Sequence, residues 1–224
     1  MTGEDALRTR LLALSTCNVS DALDKLGIRG VAIGIRPVWD CGRIAGRAVT
    51  IKITAAGVQK SRHHLGTEAI DGGGAGNVIV VDNGGRPDVS CWGGILATGA
   101  KRKGIAGVVI DGACRDADEY PGIGLPVYSR AVVPCSARGR IMQESFNTLV
   151  QLGGVQVRPG DLVLADENGV AVIPIESAEQ VIGEAENLLG REEEMTAAIA
   201  AGASMAEVDG RFAYEKMLDG DRQG

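Results

Sequence analysis

The sequence has few aromatic side chains and only two histidines. Phe, Trp and Tyr make up 3% of the 224 residues, whereas 45% of the chain is hydrophobic. A core must therefore be built mostly from Val, Ile, Leu and Ala. A chain of this length can bury a sizeable core as one domain. We predict a single domain over residues 1–224, with its core at about 19–174 and C-terminal helices at about 177–220.

The cysteines do not form a recognisable framework. They are odd in number, widely spaced and include no C-x-x-C pair: Cys17, Cys41, Cys91, Cys114 and Cys135. Neither a disulfide scaffold nor a zinc site is indicated, so we predict buried free thiols in a reducing compartment. No run of about 18 apolar residues is present to cross a membrane. We therefore expect a cytoplasmic protein without a membrane partner.

The net charge excludes one broad class of function. The chain carries 29 acidic and 23 basic residues, a formal charge of -6. Proteins that bind the phosphate backbone usually present a basic face, so nucleic acid is not an expected partner. The basic run at residues 101–103 is better explained as a helix end, where cations suit the helix dipole.

Two nucleotide-binding motifs are also missing. The glycine-rich run at residues 72–76 precedes a predicted strand, whereas a dinucleotide fingerprint follows a strand and opens a helix. No G-x-x-x-x-G-K-[ST] sequence occurs. We interpret the run as a loop and reject a Rossmann cofactor site.

What is present is an alternation of helices and strands, which predicts an α/β fold. Predicted helices cover residues 4–14, 18–26, 63–70 and 95–103, followed by one that opens at a Ser177-x-x-Gln180 capping box and another from 205 to 218. Predicted strands cover residues 48–54, 78–82, 108–110, 127–128, 155–157, 162–165 and 170–174. Asn168-Gly169 between two apolar runs indicates a hairpin.

One stretch carries the chemistry. Gly93-Gly94 opens the helix that Gly104 is expected to end, and a buried strand then leads through the predicted turn Asp111-Gly112 to Arg115-Asp116. The free N–H groups of a helix start and a guanidinium at the carboxyl end of a strand both bind anions. The oxygens of Asp116 suit a hard cation. The pattern therefore indicates a site for a small carboxylate and a metal.

The spacing G-x20-R-D-x2-E, from Gly94 through Arg115 and Asp116 to Glu119, resembles the family of the regulator of ribonuclease activity A. So do the segments HLGTEAID, VIVVDN and GVVIDGACRD. That family includes the metal-dependent 4-hydroxy-4-methyl-2-oxoglutarate/4-carboxy-4-hydroxy-2-oxoadipate aldolases, and the resemblance spans roughly residues 19–174. It implies a swivelling β/β/α domain, similar to a phosphohistidine domain, with helical N- and C-terminal extensions. It also implies homotrimers or homohexamers with sites near subunit interfaces.

The resemblance further implies roles for particular residues. Arg115 would grip the carboxylate and carbonyl side of a pyruvyl unit, and Asp116 would bind Mg²⁺ or Mn²⁺. The backbone amides at the helix start would hold the substrate, which places substrate binding on the segment Gly93, Gly94, Ile95 and Leu96. The implied activity is a divalent-metal-dependent lyase that releases pyruvate from a short 2-oxo acid, by aldol cleavage or by oxaloacetate decarboxylation.

Gly94 departs from the pattern, since many aldolases of the family carry Asp or Glu there to position a metal-bound water. Glu119 itself has an ordinary interpretation as a solvated residue ahead of Pro121. Substitutes for the missing carboxylate are His63, His64, Asp82, or a neighbouring subunit's acidic residues at 192–194. The alternative function is a non-catalytic regulator that docks on a ribonuclease, which would have no need of an intact Arg115-Asp116 pair.

Overall fold

A computed structural model describes residues 3–58 and 64–213 of the chain. In this part, the helices are α1 (Gly3–Leu12), α2 (Thr16–Lys25), α3 (Thr67–Gly72), α4 (Gly94–Arg102), α5 (Tyr120–Ile123), α6 (Ala178–Ala200) and α7 (Met205–Phe212). None of these helices has the length and apolar character needed to cross a membrane. His63 and the tail beyond residue 213, which entered the predictions, lie outside the described residues.

The strands form one large mixed sheet and a small hairpin. They are β1 (Val31–Ala32), β2 (Arg36–Pro37), β3 (Ile44–Ala55), β4 (Val78–Ser90), β5 (Gly107–Cys114), β6 (Val127–Val132), β7 (Ile141–Phe146), β8 (Val150–Leu152), β9 (Val155–Val157), β10 (Leu162–Asp166) and β11 (Gly169–Ile173). The large sheet has the order β1-β11-β10-β3-β4-β5-β6-β2, with β7 paired to β3. The α/β prediction is therefore correct.

Strands β3, β4, β5 and β6 run parallel to one another. In contrast, β10 pairs antiparallel with β3 and β11, β11 with β1, and β2 with β6. The parallel strands read as continuous apolar runs because both of their faces are covered. The hairpin predicted at Asn168-Gly169 joins β10 to β11 as expected.

Three clusters of buried side chains fill the interior. One lies under α3 and α4 and includes Ile79, Val108 and Trp92. A second joins α1, α2 and α6 to one face of β10 and β11. The third lies among the strands themselves, where Val80, Val109 and Val163 are fully buried. The sheet is thus packed by apolar side chains on both faces, which makes its strand ends a rigid support.

Two predicted strand ends are wrong. One strand was predicted to end at residue 82 and the next at the turn Asp111-Gly112, but β4 continues to Ser90 and β5 to Cys114, with shifts of register between them. Gly84 and Gly85 both have positive φ, so β4 bends within the strand instead of ending there. As a result, β4 ends just before the Cys91–Gly94 segment and β5 ends just before Arg115-Asp116.

Most helix ends follow their local signals. Gly27 and Gly104 have positive φ just beyond α2 and α4, as predicted for terminating glycines. The predicted capping box at Ser177 is absent, because its side chain caps nothing and a short 3-10 turn, Ile175–Ser177, precedes the helix. Ser15 and Ser204 form capping boxes that the sequence analysis missed. Strands β7 and β8 were missed as well.

Candidate active site

The candidate site lies where the parallel neighbours β4 and β5 end. Beyond the strands their pairing continues, since Cys91 N–H donates to the Ala113 carbonyl at 2.9 Å and Arg115 N–H donates to the Trp92 carbonyl at 2.9 Å. These two bonds hold the segment leading into α4 beside the segment leading into Arg115. Ligand sites of α/β sheets commonly form at such carboxyl ends. The sheet therefore brings the two predicted halves of the site together.

The start of α4 presents backbone N–H groups. Gly93 caps the helix without a side-chain hydrogen bond, and Ala97 N–H donates back to the Gly93 carbonyl. The N–H of Gly94 already donates to Asp116 Oδ2 at 3.1 Å. In the described part of the chain, the N–H groups of Ile95 and Leu96 have no acceptor. Within the predicted anion-binding segment, residues 93–96, these two N–H groups are therefore the ones free to bind an anion.

The paired glycine lies in close contact with two carboxylates. A Cβ on Gly93 would lie 2.6 Å from Asp116 Oδ2, and a Cβ on Gly94 would lie 1.8 Å from Glu119 Oε2. Both separations are below any van der Waals contact, so any larger residue would displace a carboxylate. Glycine at these two positions therefore leaves room for the carboxylates of Asp116 and Glu119.

Glu119 is the site residue that the sequence analysis undervalued. Its carboxylate lies against the α carbon of Gly94, in the space that a side chain at position 94 would occupy. Glu119, three residues beyond Asp116, thus places a carboxylate in the space that Gly94 leaves open. The x2 spacing was the available signal: Glu119 N–H donates to the Asp116 carbonyl at 3.1 Å, a turn that returns the side chain toward α4.

Arg115 and Asp116 form an ion pair, with Arg115 Nε 2.9 Å from Asp116 Oδ1. Burial opposes the ionisation of Asp116, but the hydrogen bonds from Arg115 and from Gly94 N–H outweigh it and lower the pKa of its carboxyl. The hydrogen bond with Asp116 raises the pKa of Arg115. Both groups are therefore charged, and the Nη atoms of Arg115 have no partner among the described residues.

The backbone beneath this pair is held in place. Asp116 has φ 56°, a left-handed conformation that costs energy in most residues but is tolerated by Asp and Asn. Tyr120, which is fully buried, donates its hydroxyl to the Arg115 carbonyl at 2.5 Å. Burial raises the pKa of the Tyr120 phenol, so the hydroxyl keeps the proton that it donates. These contacts fix the direction in which Arg115 and Asp116 leave the strand.

Arg115, Asp116 and the start of α4 line one cavity of about 370 Å³, within the size range of small-molecule sites. Glu119 is not among the residues that line it. Of the predicted site residues, Gly93, Ile95, Leu96, Arg115 and Asp116 line it. Gly94 lies just behind the wall and is buried. The remaining lining residues were not predicted as ligands, apart from the alternative His64: Leu65, Ser90, Cys91, Trp92, Ser136, Ala137 and Arg138.

The donor set fits a hard divalent cation. Asp116 and Glu119 both direct carboxylate oxygens at Gly94, and each ionised carboxylate keeps lone pairs beyond its present contacts. Mg²⁺ is usually held by one or two carboxylates and several waters. Among the described residues there is no cluster of three or more Asp, Glu, His or Cys, so the chain itself offers a two-carboxylate shell.

The other residues proposed to replace an acidic side chain at position 94 lie in different parts of the structure. His64 lines the cavity, with Nδ1 3.1 Å from the Leu65 carbonyl. Asp82 instead accepts hydrogen bonds from Gly84 and Gln151 N–H and does not line this cavity. Glu192 of the same chain accepts from Asn18 on α2, whereas the role suggested for a neighbouring subunit's Glu192 stays a prediction.

The thiol prediction is partly wrong. All five cysteines are free, but Cys17 and Cys135 are exposed and Cys41 is half-buried. Cys91 and Cys114 are buried beneath the site, and burial raises the pKa of both thiols. Buried neutral thiols here fill the core and are not poised nucleophiles.

The paired strand ends, the glycine-opened helix and the Arg-Asp pair can be compared with known proteins. A family model described as "RraA-like: Aldolase/RraA" matches residues 16–172. The chain belongs to the RraA-like family. The recognition made from the G-x20-R-D-x2-E spacing is therefore confirmed.

Individual relatives agree. Protein DlpA of Legionella pneumophila is 32% identical over 215 residues, and the match covers 95% of this chain. This chain spans only 35% of the length of DlpA. A protein of Albidiferax ferrireducens named "Putative 4-hydroxy-4-methyl-2-oxoglutarate aldolase" is 35% identical over 166 residues, 71% of this chain and 95% of its own length.

A solved structure shows the same fold. It is Streptomyces coelicolor RraAS2, described as an unusual member of the RNase ES inhibitor RraA protein family. The TM-score is 0.78 at 28% sequence identity, and the match covers 84% of this chain and 95% of that chain. The family thus contains proteins named for an aldolase activity and proteins named for ribonuclease inhibition.

Proposed function

We propose that this protein is a divalent-metal-dependent lyase that releases pyruvate from a short 2-oxo acid. The substrates would be of the 4-hydroxy-4-methyl-2-oxoglutarate type, or oxaloacetate. The observation that carries the proposal is the convergence of Asp116 and Glu119 on Gly94, beside an arginine that keeps its Nη atoms open. Arg115 and Asp116 line one cavity, and together with the Glu119 carboxylate against Gly94 they suit a reaction that forms an enolate.

Arg115 would bind the 2-oxo acid end of the substrate. A guanidinium makes two parallel hydrogen bonds to a planar carboxylate, which a lysine cannot match. The N–H groups of Ile95 and Leu96 lie at the start of α4, where the helix dipole also favours negative charge. Together they would orient the carboxylate and the 2-oxo group on one wall of the cavity.

The reaction requires charge to accumulate on the 2-oxo oxygen. Aldol cleavage breaks the C3–C4 bond, leaves the electron pair on C3 as the pyruvate enolate, and turns the C4 hydroxyl into a carbonyl by loss of its proton. Decarboxylation of oxaloacetate gives the same enolate and CO₂. Mg²⁺ or Mn²⁺ held by Asp116 would supply Lewis-acid stabilisation of the enolate oxygen. Arg115 would add a second positive charge there.

Glu119 would move the protons. Its carboxylate lies against Gly94, whose N–H donates to Asp116, and Glu119 is exposed to solvent. It could therefore hold a water close to the reacting carbons. General acid-base groups of this kind contribute about 10²–10⁴-fold to rates. Glu119 would accept the C4 hydroxyl proton through that water and return a proton to C3.

The second candidate function is a non-catalytic regulator of a ribonuclease, which the name of the RraAS2 relative favours. A surface-docking protein has no use for two carboxylates packed against a paired glycine. We therefore rank the lyase first. As part of the same proposal, we retain the swivelling β/β/α description of the domain and its helical extensions, and a homotrimer or homohexamer.

The test is pyruvate release, coupled to lactate dehydrogenase, from 4-hydroxy-4-methyl-2-oxoglutarate and from oxaloacetate. The wild-type protein and Arg115→Ala would each be assayed with Mg²⁺ and with EDTA. Release that requires Mg²⁺ and is lost in Arg115→Ala supports the lyase, and the faster substrate identifies the main reaction. Release no greater than that caused by free Mg²⁺, for both substrates, would exclude these two activities.

A further inference from the structure

The cavity contains a second arginine. Arg138 lines it together with Arg115, Ile95 and Leu96. It lies in the loop between β6 and β7, and its side chain has no hydrogen bond or ion pair with the residues that the structure describes. Nothing in the lyase proposal uses this cation.

The loop that carries Arg138 is anchored to the site. Ser90 N–H donates to the Cys135 carbonyl at 3.1 Å, and Ile141 N–H donates to the Ala137 carbonyl at 3.1 Å. Ala137 also packs against the hydrophobic cluster beneath α4. Ser90 leads directly into the Cys91–Gly94 segment, so the position of Arg138 is tied to the strand end that forms the catalytic wall.

The charges in the cavity favour a doubly negative ligand. The residues that line the cavity carry two positive charges, on Arg115 and Arg138, and one negative charge, on Asp116. A bound divalent cation would raise the positive excess further, and a dicarboxylate offsets more of that excess than a monocarboxylate does. Complementary charge of this kind selects among ligands of similar shape.

We propose that Arg138 determines specificity by binding the distal carboxylate of a 2-oxo dicarboxylic acid whose 2-oxo end is held by Arg115. The proposal rests on the lyase function above. The exposed Ile95, 87% accessible, and the half-buried Leu65 and Leu96 supply the apolar surface for the intervening carbons. Arg138 is then the residue that distinguishes dicarboxylic from monocarboxylic substrates.

This placement also favours one reaction over the other. In aldol cleavage the distal carboxylate stays charged throughout, so its bond to Arg138 is kept in the transition state. In oxaloacetate decarboxylation that carboxylate loses its charge as CO₂ leaves, so the same bond stabilises the ground state more than the transition state. Arg138 would therefore support cleavage and hinder decarboxylation.

The test compares Arg138→Ala and Arg138→Lys with Arg102→Ala, which removes an exposed charge from the far end of α4. For 4-hydroxy-4-methyl-2-oxoglutarate, Arg138→Ala should lower kcat/KM about 10- to 100-fold, the usual worth of a charged hydrogen bond, and Arg138→Lys should recover part of it. For the monocarboxylate 4-hydroxy-4-methyl-2-oxopentanoate, kcat/KM should be unchanged. With oxaloacetate, KM should rise while kcat does not fall.

Binding gives a measurement that does not depend on turnover. In the presence of Mg²⁺, calorimetry should show that wild-type protein binds 2-oxoglutarate more tightly than 2-oxobutyrate, and that Arg138→Ala removes the difference. Equal loss for mono- and dicarboxylates, or a changed oligomeric state in Arg138→Ala, would overturn the assignment. Arg138-dependent 2-oxoglutarate binding without any turnover would reject the lyase and keep the dicarboxylate site. Normal turnover by Arg138→Ala on every substrate would reject the role of Arg138 in binding the distal carboxylate and keep the lyase.

Discussion

The Glu119 carboxylate and the α carbon of Gly94 lie in direct contact, with Glu119 Oε2 1.8 Å from where a Cβ of residue 94 would stand. The two positions therefore share one carboxylate-sized space. Position 94 has no side chain because position 119 fills the site from the opposite segment. The arrangement makes the two residues interdependent, and that dependence can be measured.

We expect Gly94→Ala to lower kcat/KM for pyruvate release, by no more than Glu119→Ala does, because its Cβ would displace the Glu119 carboxylate. Glu119→Ala should lower kcat/KM for pyruvate release by about 100-fold, since a proton-transfer group is lost. The double variant Gly94→Asp with Glu119→Ala should recover activity relative to Glu119→Ala, because the new carboxylate enters the vacated space. Wild-type activity in Gly94→Ala, with an unchanged melting temperature, would contradict the shared-space interpretation.

Two substitutions of Asp116 can distinguish the effect of its charge from the effect of its left-handed backbone conformation. Asn also tolerates φ 56°, so Asp116→Asn should keep the melting temperature within a few degrees while Mn²⁺ affinity falls at least tenfold through loss of a charged ligand. Asp116→Ala should lose the affinity and, in addition, about 1 kcal/mol of folding free energy. Mn²⁺ titration followed by electron paramagnetic resonance measures the first quantity, and urea unfolding measures the second. Undiminished Mn²⁺ binding by Asp116→Asn would place the metal elsewhere.

Two buried tyrosines, Tyr120 and Tyr128, each donate a hydroxyl to a backbone carbonyl, so one can serve as the control for the other. Tyr120 donates its hydroxyl to the Arg115 carbonyl at 2.5 Å, and Tyr128 donates to the Gly42 carbonyl at 2.6 Å. Replacing either with Phe should cost about 1 kcal/mol of folding free energy, as expected for one hydrogen bond. Tyr120→Phe alone should also lower kcat/KM, by about tenfold, because it releases the backbone that positions Arg115. Equal kinetics for the two variants would show that Tyr120 has no positioning role.

Asp166 should make part of the folding stability dependent on pH. It is fully buried and accepts hydrogen bonds from the Thr16 N–H and hydroxyl at 2.8 and 2.6 Å and from the Asn168 N–H at 2.9 Å. Burial opposes its ionisation, but these hydrogen bonds outweigh it and lower the pKa of the carboxyl in the folded protein.

Because the folded pKa lies below the unfolded one, the stabilisation is complete above the ordinary Asp value of about 3.9 and is lost as the pH falls through the folded pKa. Asp166→Asn should therefore cost about 2 kcal/mol at pH 7 and show a smaller loss of stability on acidification below pH ~4. The exposed Asp118→Asn is the control. Urea unfolding between pH 3 and 7 measures both, and parallel pH profiles for wild type and Asp166→Asn would refute the assignment.

Local patterns along the chain were enough to predict the α/β class, the helix ends at Gly27 and Gly104, the hairpin at Asn168-Gly169 and the family. Each depends on local information: periodicity, a glycine that permits positive φ, or a fixed spacing along the chain. The Arg115-Asp116 pair was found in the same way, because a strand followed by a charged loop is visible in the sequence.

Which side chains converge at the site depends on how the strands and loops pack. The continuation of β4 and β5 past their apparent turns depends on pairing between strands, which no local pattern encodes. The contact of Glu119 with Gly94 joins positions 25 residues apart, and Arg138 enters the same cavity from another loop. A single sequence records which side chains are available, whereas their distances and free hydrogen-bonding groups arise only when the packed sheet brings separate strand ends together.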